Sequence, residues 1–494
     1  MMIQPVREIF FSIAISDEVR KIAFLRMVES FDETAHFSGY FHEIRAMSLP
    51  AAFVERMTRR LGSHSSDFFA ALAAPPPVSI RINPFKLPHV FRDAEKVPWC
   101  ESGRYLDGRP SFTRDPFFHA GCYYVQEASS MYVGAVVEDY LRSNKVRLAL
   151  DLCAAPGGKS THLRSILPEE ALLVCNEVVP SRNHVLCQST AKWGHPGVVV
   201  TRNDAEDFAD SGVQFDLILV DAPCSGEGMF RKDPGAIAEW STANVTSCSL
   251  RQGKILASAV EALAPGGLLV YSTCTWSEEE DGQISRLLRE VHGLEKYSLP
   301  AFQGIKLSEE GAEFYPHLVR GEGFFLTAFT KPSGAVVSPT YARRKSSPAL
   351  REDLSLRPFG DRYFTGVDAH FFSAGDNGWM VPSIYRPSWE RICAALHVVY
   401  SGVRISERKG REWIPSAEAA LSTVLSPDLP VTDVDEDPAL RYLRGETLAV
   451  DPSLSGWILV RHGSFGLGWG KAVQGRLNNA FPKEWRIRME IDRI

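Results

Sequence analysis

No two of the nine cysteines are spaced as Cys-x-x-Cys, and their number is odd. This argues against a disulfide framework and a structural zinc site, and no metal centre is expected. Reduced thiols in a cytoplasmic protein are the expectation. Long hydrophobic runs are scarce as well. Near the N-terminus the longest runs from Ile9 to Ile15, contains a serine and is followed by Asp17 and Glu18. It is too short to span a bilayer and lacks the small-residue cleavage site of a signal peptide. An excess of positive charge is missing too. The net charge of −6 argues against a uniformly basic nucleic-acid binder but leaves room for local basic patches. There are no internal repeats. What remains is an ordinary globular composition, 45% hydrophobic and 23% charged, which can bury a sizeable core. The 494 residues suggest about three domains.

Residues 1–46 show neither a clear period nor capping signals. Met47-Ser48-Leu49-Pro50 is a natural start, so the preceding stretch is expected to be a mis-called extension. Phe53, Met57, Leu61, Phe68, Phe69 and Leu72 fall at helical spacings, and Pro75-Pro76-Pro77 ends that segment. Val78 to Asn83 alternates as a strand does. Residues 47–140 thus read as a small N-terminal α+β domain. Over 141–331 strand, glycine-rich turn and helix alternate. The strands are expected at Val146–Cys153, Leu172–Val178, Gly197–Thr201, Phe215–Val220 and Gly267–Ser272, with a last one at Gly323–Thr330. That alternation predicts a doubly wound, Rossmann-like parallel sheet. Residues 332–357 read as a linker, rich in Pro and Ser and carrying Arg343, Arg344, Lys345 and Arg351 with no acid as far as Arg351. A compact intermediate region follows over 358–437, in which the acidic stretch Asp433 to Asp437 reads as a solvated loop. The final part, 438–494, is rich in Gly, Trp and basic residues.

The first strand of the sheet runs into Asp151-Leu152-Cys153-Ala154-Ala155-Pro156-Gly157-Gly158-Lys159-Ser160. Two glycines let the backbone approach a ligand closely, and a helix is expected to start near Lys159. A P-loop needs GxxxxGK[ST], but Cys153 stands where its first glycine belongs, and the GxGxxG spacing of a dinucleotide fold is absent. The loop of an S-adenosylmethionine methyltransferase fits better. Glu177 supports it, since it ends the second strand 20 residues past Gly157, where such folds bind a ribose diol. Asp204, after the third strand, suits an adenine amino group, although helix capping is the plainer explanation of any one such acid. The cofactor is therefore expected on Cys153, Ala154, Ala155, Pro156, Gly157, Gly158, Lys159, Glu177, Asp204 and Asp221.

Two further strands end in thiols: Asp221-Ala222-Pro223-Cys224 and Ser272-Thr273-Cys274. Ligands of open α/β sheets bind at the carboxyl ends of the strands, so both thiols and Asp221 are expected in one crevice. Any single free cysteine is more often a small packing residue, and Cys100, Cys122, Cys175, Cys187, Cys248 and Cys393 are read that way. A thiol of pKa about 8.5 is only slightly ionised at neutral pH, so the site must activate it. Lys159, Lys232 and the helix start after Cys274 are the candidates.

The segments Asp151 to Ser160, Asp221 to Pro234 and Tyr271 to Thr275 resemble three motifs of the Nol/Nop/Sun-type RNA 5-methylcytosine methyltransferases, and more narrowly the bacterial RsmF/YebU group, which modifies small-subunit ribosomal RNA. The resemblance covers about residues 48–494. It implies a thiolate that adds to carbon 6 of cytosine so that carbon 5 can accept a methyl group, and a second group that helps expel the thiol afterwards. By resemblance Cys274 attacks, Cys224 assists release and Asp221 contacts the base. Spacing alone does not decide which thiol attacks, and in DNA 5-methylcytosine enzymes the Pro-Cys cysteine does. One departure stands out: where the family has Glu-Glu-Asn-Glu this chain has Glu279-Glu280-Asp281-Gly282.

Pro116 to Ser130 resembles the family segment leading into the catalytic domain. Its aromatics are candidates for base stacking, with domain-interface packing as the plainer role. The resemblance makes the C-terminal region a PUA-like RNA-binding module, in which Phe465, Trp469, Lys471, Arg476, Lys483, Trp485, Arg486 and Arg488 interleave aromatic and basic side chains. The expected substrate is 16S ribosomal RNA near the decoding region, or the assembled small subunit. Transfer RNA or another ribosomal RNA is an alternative within the enzyme class, and a non-catalytic RNA-binding assembly factor is one outside it.

Overall fold

The computed structural model describes residues 49–334 and 351–488. The expected extension over 1–46 lies outside them. The chain divides into two compact units, 1–56 and 57–494. In the first, residues 49–56 are described, and helix Ala51–Leu61 begins there. The second unit carries everything below.

The helix expected over 51–72 is two helices, Ala51–Leu61 and Ser65–Ala73. Gly62, at φ +55°, turns the chain between them. An antiparallel sheet follows with strands β1 (Val78–Ile82), β2 (Lys96–Val97), β3 (Cys100–Leu106) and β4 (Tyr123–Val125), in the order β2-β3-β1-β4. Strand β1 alternates in sequence, yet both of its faces are covered: Ser79 and Arg81 are as buried as Ile80 and Ile82.

The central sheet has ten strands. They are β5 (Leu148–Asp151), β6 (Leu172–Asn176), β7 (Val198–Thr201), β8 (Phe215–Asp221), β9 (Leu263–Thr273), the short β10 (Glu295–Lys296), β11 (Lys306–Leu307) and β12 (Ala312–Phe314), and β13 (Phe324–Thr330), joined by one strand from further along the chain. Strands β9-β8-β5-β6-β7 run parallel, and β13 returns antiparallel beside β9. Val, Leu and Ile dominate these strands because helices cover both faces. The expected strands all appear, with ends shifted by a few residues. The chain passes outward from β5 to β6 and β7, then crosses to β8 on the other side of β5. This makes the carboxyl ends of β5 and β8 the place where the strand order reverses, the usual ligand crevice of such sheets.

The linker expected over 332–357 ends earlier than the composition suggests. Arg351 and Glu352 form β14 and pair with Ser373 and Phe372, and a helix starts at Arg357. Strands β14, β15 (Ala369–Ala374) and β16 (Asn377–Pro382) continue into β17 (Val398–Ser401), β18 (Val403–Lys409) and β19 (Glu412–Pro415). β17 leaves this sheet and pairs antiparallel with β7, so the intermediate region supplies the edge strand of the catalytic sheet. The last sheet contains β20 (Val431–Asp433), β21 (Leu448–Ala449), β22 (Gly456–His462), β23 (Phe465–Val473) and β24 (Arg476–Asn479). It begins at Val431 rather than 438. The acidic stretch is therefore no loop: Asp433 lies in β20 and accepts two hydrogen bonds from Arg461, and Glu436 and Asp437 open helix Glu436–Leu443.

One hydrophobic cluster joins the first and last modules, with Ile80, Phe117 and Cys122 packed together with Tyr442, Val460 and Leu467. The Phe117 ring meets His462 and Phe465. Phe117 is thus an interface residue. Trp469, expected among the RNA-contacting aromatics, is 2% exposed and donates its indole N–H to the Ser416 carbonyl. Its strand position turns it inward.

Candidate active site

Strands β8 and β9 are parallel neighbours with Asp221 paired to Ser272. The loops that leave them start at the same height, and this brings the two cysteines together. Cys224 Sγ lies 3.1 Å from Cys274 Sγ, both as free thiols, and the Cys274 backbone N–H points at Cys224 Sγ at 3.4 Å. The hydrogen bond with Cys274, aided by burial, pushes the Cys224 thiol well above its ordinary range. Cys224 therefore holds its proton.

Asp221 ends β8 beside the thiols. Its Oδ1 accepts from Ser272 Oγ at 2.8 Å and its Oδ2 from Lys159 Nζ at 2.8 Å. Lys159 stands at the start of helix Gly158–Ile166. Burial opposes its charge, but Asp221 and then the Cys274 sulfur favour it more, and its pKa is raised. Of the three activators considered for the thiol, Lys159 is the one held in an ion pair with Asp221, at 2.8 Å. Lys232 lies 3.5 Å from Glu322, and the helix after Cys274 starts only at Gly282.

Buried carboxylates brace the thiol loops, a role the sequence alone did not assign to them. Glu227 accepts from the Trp240 indole N–H and from the Trp276 backbone N–H. Glu280 accepts from the Ser225 backbone N–H at 2.9 Å and from Gln252 at 2.9 Å, and Gln252 also donates to the Pro223 carbonyl. Burial pushes Glu280 up to about 7. Asp281 accepts from Thr273 Oγ1, and burial raises it well above the usual carboxylate range. The unusual Glu279-Glu280-Asp281-Gly282 segment thus braces the site. Close backbone packing completes it: a Cβ on Gly228 would collide with the Gly323 carbonyl oxygen.

The loop after β5 lies across the switch point. Its Ala155–Pro156 bond is cis, and Gly157 sits at φ +109°, where a Cβ would lie 2.8 Å from Ser189. Ala154 and Ala155 lie in the hydrophobic core and Cys153 packs against it. Asp151 is fully buried and accepts from Ser160 Oγ at 2.7 Å, while its other oxygen has no partner. Burial pushes it up to about 7. Glu177, buried after β6, accepts from the Val179 N–H and lies 3.2 Å from Arg182. Asp204 is exposed at the start of helix Ala205–Asp210, and its carboxylate makes no capping bond. Capping therefore does not account for it. A residue from another module holds the loop: Arg81 on β1 donates to the Gly158 carbonyl and to Thr161 Oγ1.

A glycine loop after the first strand of a doubly wound sheet, with two thiols at the ends of β8 and β9, defines a Rossmann-like methyltransferase with a two-cysteine centre. Models of known families agree. One described as 16S rRNA methyltransferase RsmB/F matches residues 140–330, the N-terminal domain of 16S rRNA methyltransferase RsmF matches 49–128, and the methyltransferase RsmF PUA domain matches 429–487. The chain belongs to this RsmF family of 16S rRNA methyltransferases. It is 31% identical to ribosomal RNA small subunit methyltransferase F of Aliivibrio fischeri strain MJ11 over 472 residues, spanning 88% of this chain and 97% of that protein. Against the protein of the same name from Vibrio cholerae strain M66-2 the identity is 30%, over 89% of this chain and 98% of the relative. The crystal structure of PH0851 is similar over 63% of this chain and 72% of its own, at 24% identity and a TM-score of 0.53, a likeness of fold.

Proposed function

We propose that this chain methylates carbon 5 of a cytosine in 16S ribosomal RNA, near the decoding region, in the cytoplasm and with S-adenosylmethionine as donor. The single observation that carries this is the pair of thiols 3.1 Å apart beside the Lys159–Asp221 ion pair. Such a pair has distinct work to do in this chemistry and little reason to exist otherwise.

The donor's residues fit it. S-adenosylmethionine supplies an electrophilic methyl group on a cationic sulfur. The backbone from Cys153 to Gly158 would wrap its amino-acid end, the open oxygen of Asp151 would accept from its ammonium group, Glu177 would take the ribose diol and Asp204 the adenine amino group.

Cys274 is the nucleophile. Cys224 Sγ, 3.1 Å away, can donate a hydrogen bond to the Cys274 sulfur, and the Lys159–Asp221 ion pair stands beside the two thiols. When Cys274 adds to carbon 6 of cytosine, the electrons of the 5,6 double bond move toward carbon 5, which becomes nucleophilic. Asp221 and Lys159 act as one unit that both accepts and donates, which suits the cytosine edge with its amino group and ring nitrogen 3. Methyl transfer leaves S-adenosylhomocysteine. The proton on carbon 5 then passes to solvent, its bonding pair re-forms the 5,6 double bond, and the carbon 6–sulfur bond breaks with its pair returning to the Cys274 sulfur. Cys224 assists that release by hydrogen-bonding the departing thiolate at 3.1 Å.

The test is a Cys224→Ala variant incubated with small-subunit RNA and S-adenosylmethionine. A protein–RNA adduct stable to denaturing electrophoresis is expected, with bisulfite sequencing locating the modified cytosine. Free, fully methylated RNA at the wild-type rate overturns the assignment of release to Cys224.

A further inference from the structure

Behind the cofactor loop a cleft of ≈ 580 Å³ opens between the N-terminal sheet and helix Pro180–Trp193. Its size falls within the range of about 300–1,000 Å³ typical of ligand sites. Neither thiol lines it. Phe118 and Tyr124 offer partly exposed rings, and Trp193 lies buried among the lining residues with an indole N–H that has no acceptor in the protein. Two cations belong to it, Arg109 and Lys192. Lys192 Nζ sits 5.3 Å from the centre of the Phe118 ring and 5.9 Å from that of Trp485. Burial lowers its pKa, as for a cation lacking a counter-charge. Among the described residues that line the cleft none is acidic, and neither Arg109 nor Lys192 forms an ion pair with a described residue.

In a chain of net charge −6, two unneutralised cations beside aromatic faces mark a place for an anion. The pairing of cation and ring selects among anions. Phosphate alone needs no stacking surface, whereas a single-stranded nucleotide uses both. The cleft also adjoins the cofactor loop: the Tyr124 hydroxyl lies 3.4 Å from the Pro156 carbonyl, and a Cβ on Gly158 would touch the Tyr124 ring.

We propose that this cleft binds an unpaired nucleotide of the substrate RNA flanking the target cytosine, with its phosphate on Lys192 and Arg109 and its base against Tyr124 or Phe118. The proposal rests on the reading of the chain as an RNA methyltransferase, and its test separates the two. The full chain and the variants Arg109→Gln, Lys192→Gln and the double variant are titrated with fluorescently labelled small-subunit RNA over a series of salt concentrations, and methylation is followed in parallel. Each single variant is expected to weaken RNA affinity about fivefold at low salt, and to reduce the slope of log affinity against log salt by about 0.7 for each single-strand phosphate that is no longer neutralised. The KM for RNA rises, while kcat at saturating RNA and the affinity for S-adenosylmethionine stay at wild-type values. Lys192→Arg restores binding. A double variant with wild-type RNA affinity and salt slope overturns the proposal. Arg109 is exposed, so Arg109→Gln carries the test if Lys192→Gln lowers the melting temperature. A wild-type chain that binds RNA but methylates none refutes the enzyme reading and leaves the binding comparison standing.

Discussion

The loop after β5 and the loops after β8 and β9 face each other across one crevice, yet they are held by opposite charges. A buried arginine clamps the cofactor loop. Arg81 reaches from β1 to the Gly158 carbonyl and Thr161, with a further bond to Gln126 and its guanidinium 4.4 Å from the centre of the Trp193 ring. Buried carboxylates clamp the thiol loops, with Glu227 and Glu280 accepting from the N–H groups of Trp276 and Ser225. The backbone decides the sign. The cofactor loop turns a carbonyl toward its brace, and the thiol loops turn N–H groups toward theirs. The consequence is a difference in pH sensitivity. Burial lowers Arg81 only to about 10, so it stays charged at neutral pH, whereas Glu280 at about 7 titrates in the working range.

Four substitutions probe that contrast, from the largest expected effect to the smallest. Cys274→Ala should lower methyl transfer by about 10⁴-fold or more, as removal of a covalent nucleophile does, with folding unchanged; single-turnover transfer from labelled donor measures it, and a variant of wild-type rate would hand the attack to Cys224. Arg81→Met leaves the Gly158 carbonyl and Thr161 without their donor in a buried place. It should cost about 3–5 kcal/mol of stability in denaturant titration and weaken cofactor binding more than RNA binding.

Glu280→Gln tests the titratable side. Glu280 holds its proton more tightly in the folded chain, at about 7 against an ordinary 4.5. Its stabilising contribution is therefore fully present below pH 4.5 and is lost as pH rises toward 7. The wild type should lose on the order of 3 kcal/mol across that window from this group, and Glu280→Gln should flatten the corresponding part of the pH profile of stability. An unchanged profile would show that Glu280 is ionised throughout. Ser272→Ala, which removes one hydrogen bond to Asp221, should cost about 1 kcal/mol of transition-state stabilisation, a several-fold loss in kcat/KM.

Much of this was legible in the chain because it is local. Strand, glycine turn and helix repeat with short periods, so the doubly wound sheet, the loop from Asp151 to Ser160 and both thiol motifs could be read directly. Trp469 misled because interleaved aromatic and basic residues look alike in sequence whether a ring faces solvent or a core, and β23 turns this ring inward. The acids from Asp433 to Asp437 misled for a similar reason: the partner of Asp433, Arg461, lies 28 residues further on, and Glu436 and Asp437 open a helix. The alternation from Val78 to Asn83 predicted a strand but not the burial of Arg81, since alternation shows which residues share a face and not what covers it.

By itself the sequence determined which residues stand at or just beyond the strand ends: Asp151, Glu177, Asp221 and the two cysteines follow from hydrophobic runs that stop where they stop. Tertiary structure alone decided that β8 and β9 lie side by side with Asp221 opposite Ser272, and so that two thiols 50 residues apart come within 3.1 Å. It also decided which charges are buried around them. Strand pairing and burial are long-range properties, set by the packing of segments that the linear chain keeps apart.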